Sequence, residues 1–364
     1  MKKVIAFLLV FVMLLGLTAC AKSEPAPTEP TVPPTMAPYE PNPKAVYVLI
    51  PNTESDWEMA VASAAQEKAD ELNAAGGMTV NVLSYGTVQE QTALMEDILA
   101  KSPNDGSVGV VLMPAGEETA AALQKLLDAN ISYALAGTIP QELGAASVCN
   151  VFYDQYQIGA AAAAYLVNAG LTQKNDVVIM QGFDPEDAQR TEGFKMYLEG
   201  KLEVDGAAIE TPWDDFSTIS YSDMKTDSRE SAKEYFEAYM GDADQAYTGY
   251  FAAWDDTYVL AMLDALEDEL ISDQNRSNLF AMEPTVTGFG ASAELMDKLS
   301  QAEGSEDAGN IGKFSDINSI VYDSNMLQTA LQAMADYMLG QIPAHEQKLS
   351  VQWAKAPVVA ETEE

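Results

Sequence analysis

From Lys44 onward, short apolar runs alternate with longer stretches in which apolar residues recur every three or four positions, and the alternation runs through the chain twice. Ala45-Val46-Tyr47-Val48-Leu49-Ile50 is a strand-like run closed by Pro51, and residues 57–72 follow with helical spacing. Residues 78–83, 108–113 and 131–135 then read as strands, with helices over 88–100 and 117–129 between them. After Val148 the same order returns, with strands near 177–180, 247–251 and 285–289 and helices near 187–198, 229–240 and 257–267. Buried runs separated by amphipathic helices predict parallel sheets covered on both faces. The fold class is therefore α/β, with two doubly wound Rossmann-like lobes. Segments near 148–153, 320–323 and 348–353 are expected to cross between them as a three-strand hinge. This divides the body into one lobe of residues 44–153 plus 323–349 and a second of residues 154–322 plus 350–358, followed by an acidic tail over 359–364. Two such lobes offer one natural ligand site, the cleft at the carboxyl ends of their strands.

Composition removes several functions. With 19 Lys+Arg against 56 Asp+Glu the formal net charge is −37, a surface that repels a phosphate backbone, so nucleic acid is not an expected partner. The only histidine is His345 and the only cysteines are Cys20 and Cys149. These supply no ligand cluster for zinc, haem or an iron–sulfur centre, so no cofactor or metal is expected. No Gly-x-Ser-x-Gly elbow or phosphate loop occurs, so an enzyme is not expected either.

The amino-terminal segment reads as an address. Lys2 and Lys3 precede an apolar run over residues 4–17, shorter than the roughly 20 residues that span a bilayer core. Leu17-Thr18-Ala19-Cys20 resembles the bacterial lipobox, which implies a signal peptide over 1–19 and lipid attachment at Cys20. Residues 21–43 carry eight of the 17 prolines mixed with Thr and Glu, so residues 20–43 are expected to form an extended, lipidated tether. Cys149, left as the one thiol, reads as a small buried core residue.

Four stretches carry a resemblance over residues 44–358. They are Pro51-Asn52-Thr53-Glu54-Ser55-Asp56-Trp57, Asp187-Ala188-Gln189-Arg190-Thr191-Glu192-Gly193-Phe194, Pro212-Trp213-Asp214, and Phe251-Ala252-Ala253-Trp254-Asp255-Asp256. Together with the lipobox and tether, these resemble bacterial ABC-transporter solute-binding lipoproteins of the ribose- and galactose/glucose-binding family, the type I periplasmic-binding fold. The resemblance implies that Trp57 stacks on a sugar ring, that Arg190 binds sugar oxygens, and that Trp213 covers the opposite ring face. The chain also departs from the family. Gly137-Thr138 stands where a polar pair is usual, Trp254 stands on the usual Asn, and Gly288-Phe289-Gly290 lacks the usual Asp. Asp323 is placed to replace a hinge-side amide.

Asp56, Trp57, Thr138, Asp187, Arg190, Trp213, Trp254, Asp255 and Asp323 are thus the candidate ligand-binding residues. Each has a structural alternative: core packing for the tryptophans, an ion pair for Arg190, and helix capping or solvation for the aspartates. The resemblance implies an extracytoplasmic, lipid-anchored, monomeric binding protein that captures a small sugar-like ligand and delivers it to an ABC permease and ATPase by hinge closure. A sensory lipoprotein that presents ligand to a receptor kinase keeps the same fold. The missing polar groups favour a monosaccharide-like ligand with fewer free hydroxyls or a larger apolar substituent than ribose or glucose, with a nucleoside or other ring compound as the alternative. Because Cys20 alone can take the lipid, Cys20→Ser should release the protein from membranes without unfolding it. Fractionation that still finds the variant in the membrane pellet would remove the lipoprotein assignment.

Overall fold

A computed structural model describes residues 43–52, 56–116, 118–139, 141–213, 221–226, 228–242, 248–268, 270–303, 305 and 308–355. The expected signal peptide, Cys20, nearly all of the tether and the acidic tail lie outside these residues, as does the Asp56 side chain.

Among the described residues, twelve strands form two sheets. The first holds β1 (Lys44–Pro51), β2 (Met78–Tyr85), β3 (Val108–Leu112), β4 (Ser132–Ala136), β5 (Asn150–Tyr153) and β11 (Glu346–Leu349), in the order β11-β5-β4-β3-β1-β2. All its pairs are parallel, with Tyr47 opposite Asn81 and Tyr47 opposite Val110. The second holds β6 (Val177–Gln181), β7 (Tyr221–Lys225), β8 (Tyr250–Ala253), β9 (Thr285–Gly290), β10 (Asp316–Val321) and β12 (Gln352–Trp353), in the order β12-β10-β9-β8-β6-β7. Only β12 runs antiparallel, placing Trp353 opposite Ile320. Strands β3 and β6 are buried along their whole length, which is why they read as continuous apolar runs. The sheets have the doubly wound order that the sequence predicts.

The helices are α1 (Asp56–Ala75), α2 (Val88–Lys101), α3 (Thr119–Asp128), α4 (Gln141–Gly144), α5 (Gln155–Asn168), α6 (Pro185–Leu198), α7 (Arg229–Gly241), α8 (Asp256–Glu267), α9 (Asp273–Phe280), α10 (Ala293–Ala302) and α11 (Met326–Met338). Helices α4, α9, α10 and α11 are not among the expected elements. Leu279 is the one buried residue of α9, which therefore carries no legible apolar stripe, whereas α10 does carry one, with Leu295 and Leu299 buried four residues apart. The chain passes between the sheets after β5, after β10, and between β11 and β12. One hydrophobic cluster runs through both lobes, joining Val46, Val111 and Leu331 of the first to Ile158, Phe194 and Trp254 of the second. Cys149 lies in it, and burial pushes its thiol up to about 11.

Helices α5 and α6 meet backbone to backbone. A Cβ at Gly159 would sit 1.8 Å from the Arg190 carbonyl oxygen, and one at Gly193 would sit 2.0 Å from that of Tyr156. The flanking run Ala160 to Ala164 is buried throughout. Any larger side chain at either glycine would push α6 off α5, and Arg190 projects from α6. Gly159→Ala and Gly193→Ala should therefore each cost at least about 2 kcal/mol in urea denaturation, as overpacking does. Gly241→Ala, where nothing lies within 4 Å, should be nearly neutral. Equal stabilities for all three would refute the close crossing.

Candidate ligand-binding site

The carboxyl end of β6 builds one wall of a cleft. Asp184 caps α6 by accepting from the Glu186 backbone N–H at 2.9 Å, and Pro185 occupies the first turn. Helical spacing then brings Glu186, Asp187 and Arg190 together on one side of α6. Arg190 is only 5% exposed, and each of its N–H groups is bonded. Its Nε donates to Gln155 Oε1 at 2.8 Å, and one terminal nitrogen donates to Asp187 Oδ1 at 2.7 Å and to the Trp254 carbonyl at 3.0 Å. The other donates to Glu186 Oε2 at 3.3 Å and to the Tyr322 hydroxyl at 3.2 Å. The guanidinium also lies 4.1 Å from the centre of the Phe289 ring.

Asp187 is buried and accepts from Gly182 N–H at 2.6 Å besides Arg190. Burial pushes its carboxyl above the usual value, Arg190 pulls it back, and the charges of Asp184 and Asp255 add to the rise. Asp256, 1% exposed, accepts from Ser319 Oγ at 2.7 Å and Ser292 N–H at 2.6 Å, and burial raises its carboxyl as well. A Cβ at Gly288 would come within 2.3 Å of Asp256, so this glycine makes room for the carboxylate. Gly290, at φ +118, has a backbone that only glycine adopts without strain.

A cavity of about 650 Å³ opens between these groups, within the range of small-ligand sites. Trp57 from the first lobe faces it, with Phe183, Asp255, Tyr258, Phe289 and the residues around Arg190 from the second. Tyr322, where the chain crosses after β10, joins these aromatics. Its ring lies 4.3 Å from Phe289, 5.1 Å from Trp57 and 5.2 Å from Tyr153, and burial pushes its hydroxyl up to about 12. A further bond spans the lobes: Thr138 Oγ1 donates to Glu186 Oε1 at 2.7 Å.

Five of the nine candidates line this cavity, among them Trp57, Asp187, Arg190 and Asp255. Asp255 also caps α8 through Thr257 N–H at 2.6 Å. Trp254 lines it too, but its indole points inward, 1% exposed, with Nε1 donating to Thr191 Oγ1 at 2.8 Å and the ring edge-on to Phe194. Trp213 is elsewhere. Its backbone N–H bonds to the Leu198 carbonyl at 2.8 Å, and its ring is buried beside a separate pocket with Val167, Tyr197 and Ile209. There it covers the carboxyl ends of α5 and α6, so burial of its apolar ring against the core takes the place of a cleft contact. Residues 214–220 lie outside the described residues. Thr138 does not line the cavity but holds Glu186 across the lobes. Nor does Asp323, whose Oδ1 accepts from Asn325 N–H at 2.8 Å and whose backbone N–H donates to the Tyr153 hydroxyl, fixing the crossing segment. Sequence reasoning passed over Phe183, Glu186, Phe289 and Tyr322. Phe183 and Glu186 flank the cap immediately before Arg190, which is the signal that marks them.

Among the described residues, no group of His, Cys, Asp and Glu is arranged to hold a metal ion, and no helix is long and apolar enough to cross a membrane.

Three solved structures illustrate what the fold is similar to. An ABC sugar transporter subunit from Rhodobacter sphaeroides 2.4.1 superposes with a TM-score of 0.57 at 18% identity, covering 85% of this chain and 97% of that one. A periplasmic ribose ABC transporter protein from Conexibacter woesei DSM 14684 gives 0.64 at 13% identity, covering 86% and 93%. A solute-binding protein from Bacillus halodurans C-125 with bound myo-inositol gives 0.58 at 15% identity, covering 86% and 95%. Comparison with curated proteins finds no match. Residues 46–341 match the family model described as a periplasmic binding protein domain. Sheet order, cleft and family match agree, and the chain belongs to the periplasmic binding protein domain family.

Proposed function

We propose that this protein is an extracytoplasmic solute-binding lipoprotein that captures a small sugar-like ring in the cavity between its lobes and delivers it to an ABC importer. The observation that carries this reading is the composition of that cavity, in which Trp57 of one lobe faces Phe183 and a set of buried, hydrogen-bonded charges of the other. Flat C–H faces pack on aromatic planes, and hydroxyl edges need fixed polar partners. The fold relatives described as a periplasmic ribose ABC transporter and as a solute-binding protein with bound myo-inositol support the same class. Ligand touching both lobes favours the arrangement in which they meet, which is the differential contact that hinge closure requires. Cys20 is the proposed lipid anchor, and a membrane permease with its ATPase the proposed partner.

The test is a thermal-shift screen of sugars, deoxysugars, cyclitols, nucleosides, amino acids and polyamines, followed by calorimetry on hits. Trp57→Ala should weaken a ring ligand by about 1–3 kcal/mol, or roughly ten- to a hundred-fold. Trp213→Ala should lower stability and leave affinity unchanged, because its ring lies outside the cavity. Tryptophan emission should shift on binding, since Trp57 lines the site. A tight amino-acid hit, or a sugar hit indifferent to Trp57→Ala, would overturn the proposal.

A further inference from the structure

The lobes are joined beside the cavity by a bond that needs no ligand. Thr138 Oγ1, on the loop after β4 of the first sheet, donates at 2.7 Å to Glu186 Oε1 in the first turn of α6. Both ends are held in place. Gly137 takes φ +80 and its N–H donates to the Val151 carbonyl at 2.9 Å, so the backbone leading into Thr138 is tied to β5 in a conformation that glycine adopts without strain. Glu186 keeps its other oxygen, Oε2, for its own lobe, accepting from Gln155 Nε2 at 3.2 Å and from Arg190 at 3.3 Å. One oxygen anchors the side chain, and the other is offered to the opposite lobe.

Bonds at the crossings differ from this one. Lys348 Nζ donates to Asp154 Oδ2 at 2.9 Å, and the Asp323 N–H donates to the Tyr153 hydroxyl. Asp154 and Asp323 directly follow β5 and the β10 crossing, where the covalent chain keeps the lobes together whatever angle they take. Thr138 and Glu186 lie off the crossings, and their bond is lost once its oxygens part by roughly another 1 Å. A rotation that separates the lobes must break it.

We infer that Thr138 and Glu186 form a clasp that holds the lobes together before any solute arrives. Glu186 lines the cavity and Thr138 does not, so Thr138 is a positioning residue that acts through the equilibrium between open and closed lobes. Solute enters and leaves while the lobes are apart, so the clasp slows both steps. That kinetic consequence rests on the reading of the cavity as the solute site; the ligand-free clasp does not.

The first experiment is small-angle X-ray scattering on the full-length protein without ligand. Residues 1–42 are common to every variant, so differences between profiles report the lobes. Wild type should be compact. In Thr138→Val the open-to-closed ratio should rise about three- to tenfold, as loss of one exposed hydrogen bond gives, and be read as a larger radius of gyration. Thr138 is exposed, so this exchange disturbs no core. Thr138→Ser keeps the hydroxyl and should scatter like the wild type. Glu186→Ala should open the protein too, and adding Thr138→Val to it should change nothing further. The second experiment is stopped-flow tryptophan emission with myo-inositol and D-ribose as probes. For whichever binds, Thr138→Val should raise the association and dissociation rates together and leave Kd within about twofold, whereas loss of a ligand contact raises dissociation alone. A wild type already as open as Thr138→Val, a Thr138→Val protein as compact as the wild type, a serine variant as open as the valine one, additive effects at the two positions, or a rise in dissociation alone would each overturn the clasp. If no ring binds the wild type, the sugar-binding reading falls and scattering alone decides the clasp.

Discussion

A guanidinium taken out of water must find an acceptor for every N–H, because a buried cation left short of partners costs far more than its pairing returns. Arg190 meets that demand with five groups from four places: Gln155 where α5 begins, Glu186 and Asp187 on its own helix, the Trp254 carbonyl at the end of β8, and Tyr322 on the crossing after β10. The architecture of the second lobe's upper edge follows from satisfying one side chain. It is possible only because Gly159 and Gly193 let α5 and α6 touch, which sets the arginine at the height of the strand ends. Phe289 closes its face, and Tyr322 passes the contact on to Trp57 in the other lobe.

The site is thereby assembled from charges that mostly serve one another. Asp256 stitches α8 to β10 and to the start of α10, and Asp187 ties α6 to the loop after β6. Burial raises both carboxyls, so each holds its place through hydrogen bonds that the low-dielectric setting strengthens. Recognition is left to the groups not consumed in this way, and these are few.

Much of this was legible in the chain. Strands buried on both faces must be apolar throughout, and β3 and β6 are, so the alternation that defines the fold could be read directly. The Arg190 segment declared itself by its resemblance, and Asp187 and Asp255 stood within the same resembling stretches, with helix capping as their structural alternative. The tryptophans were harder, because a residue at a strand end can turn either way. Pattern on β8 holds the answer for one of them: Phe251 and Ala253 pack into one core cluster, Ala252 and Trp254 into the other. Two-residue periodicity thus carries Trp254 inward on the face of Ala252, and Thr191 captures its indole N–H. Trp213 gave no such signal, since its neighbourhood is built by tertiary return of the chain onto α5 and α6. Phe289 stood in a stretch marked only for the Asp that Gly290 replaces, and its role as the ring beneath a guanidinium depends on a helix roughly a hundred residues earlier in sequence, which no local spacing records.

The interleaving of the lobes also orders the life of the chain before it is folded. Helix α11, formed by Met326–Met338, lies against β1, β3, β4 and α1 of the first lobe, with Leu327, Leu331 and Met334 in the same cluster as Val46 and Val111, and β11 completes the edge of that sheet beside β5. The first lobe to be synthesised is therefore the one that waits for the last residues to arrive. Until they emerge from the ribosome, that face of the sheet is covered by α1 alone, and a nascent chain in that condition cannot close its core.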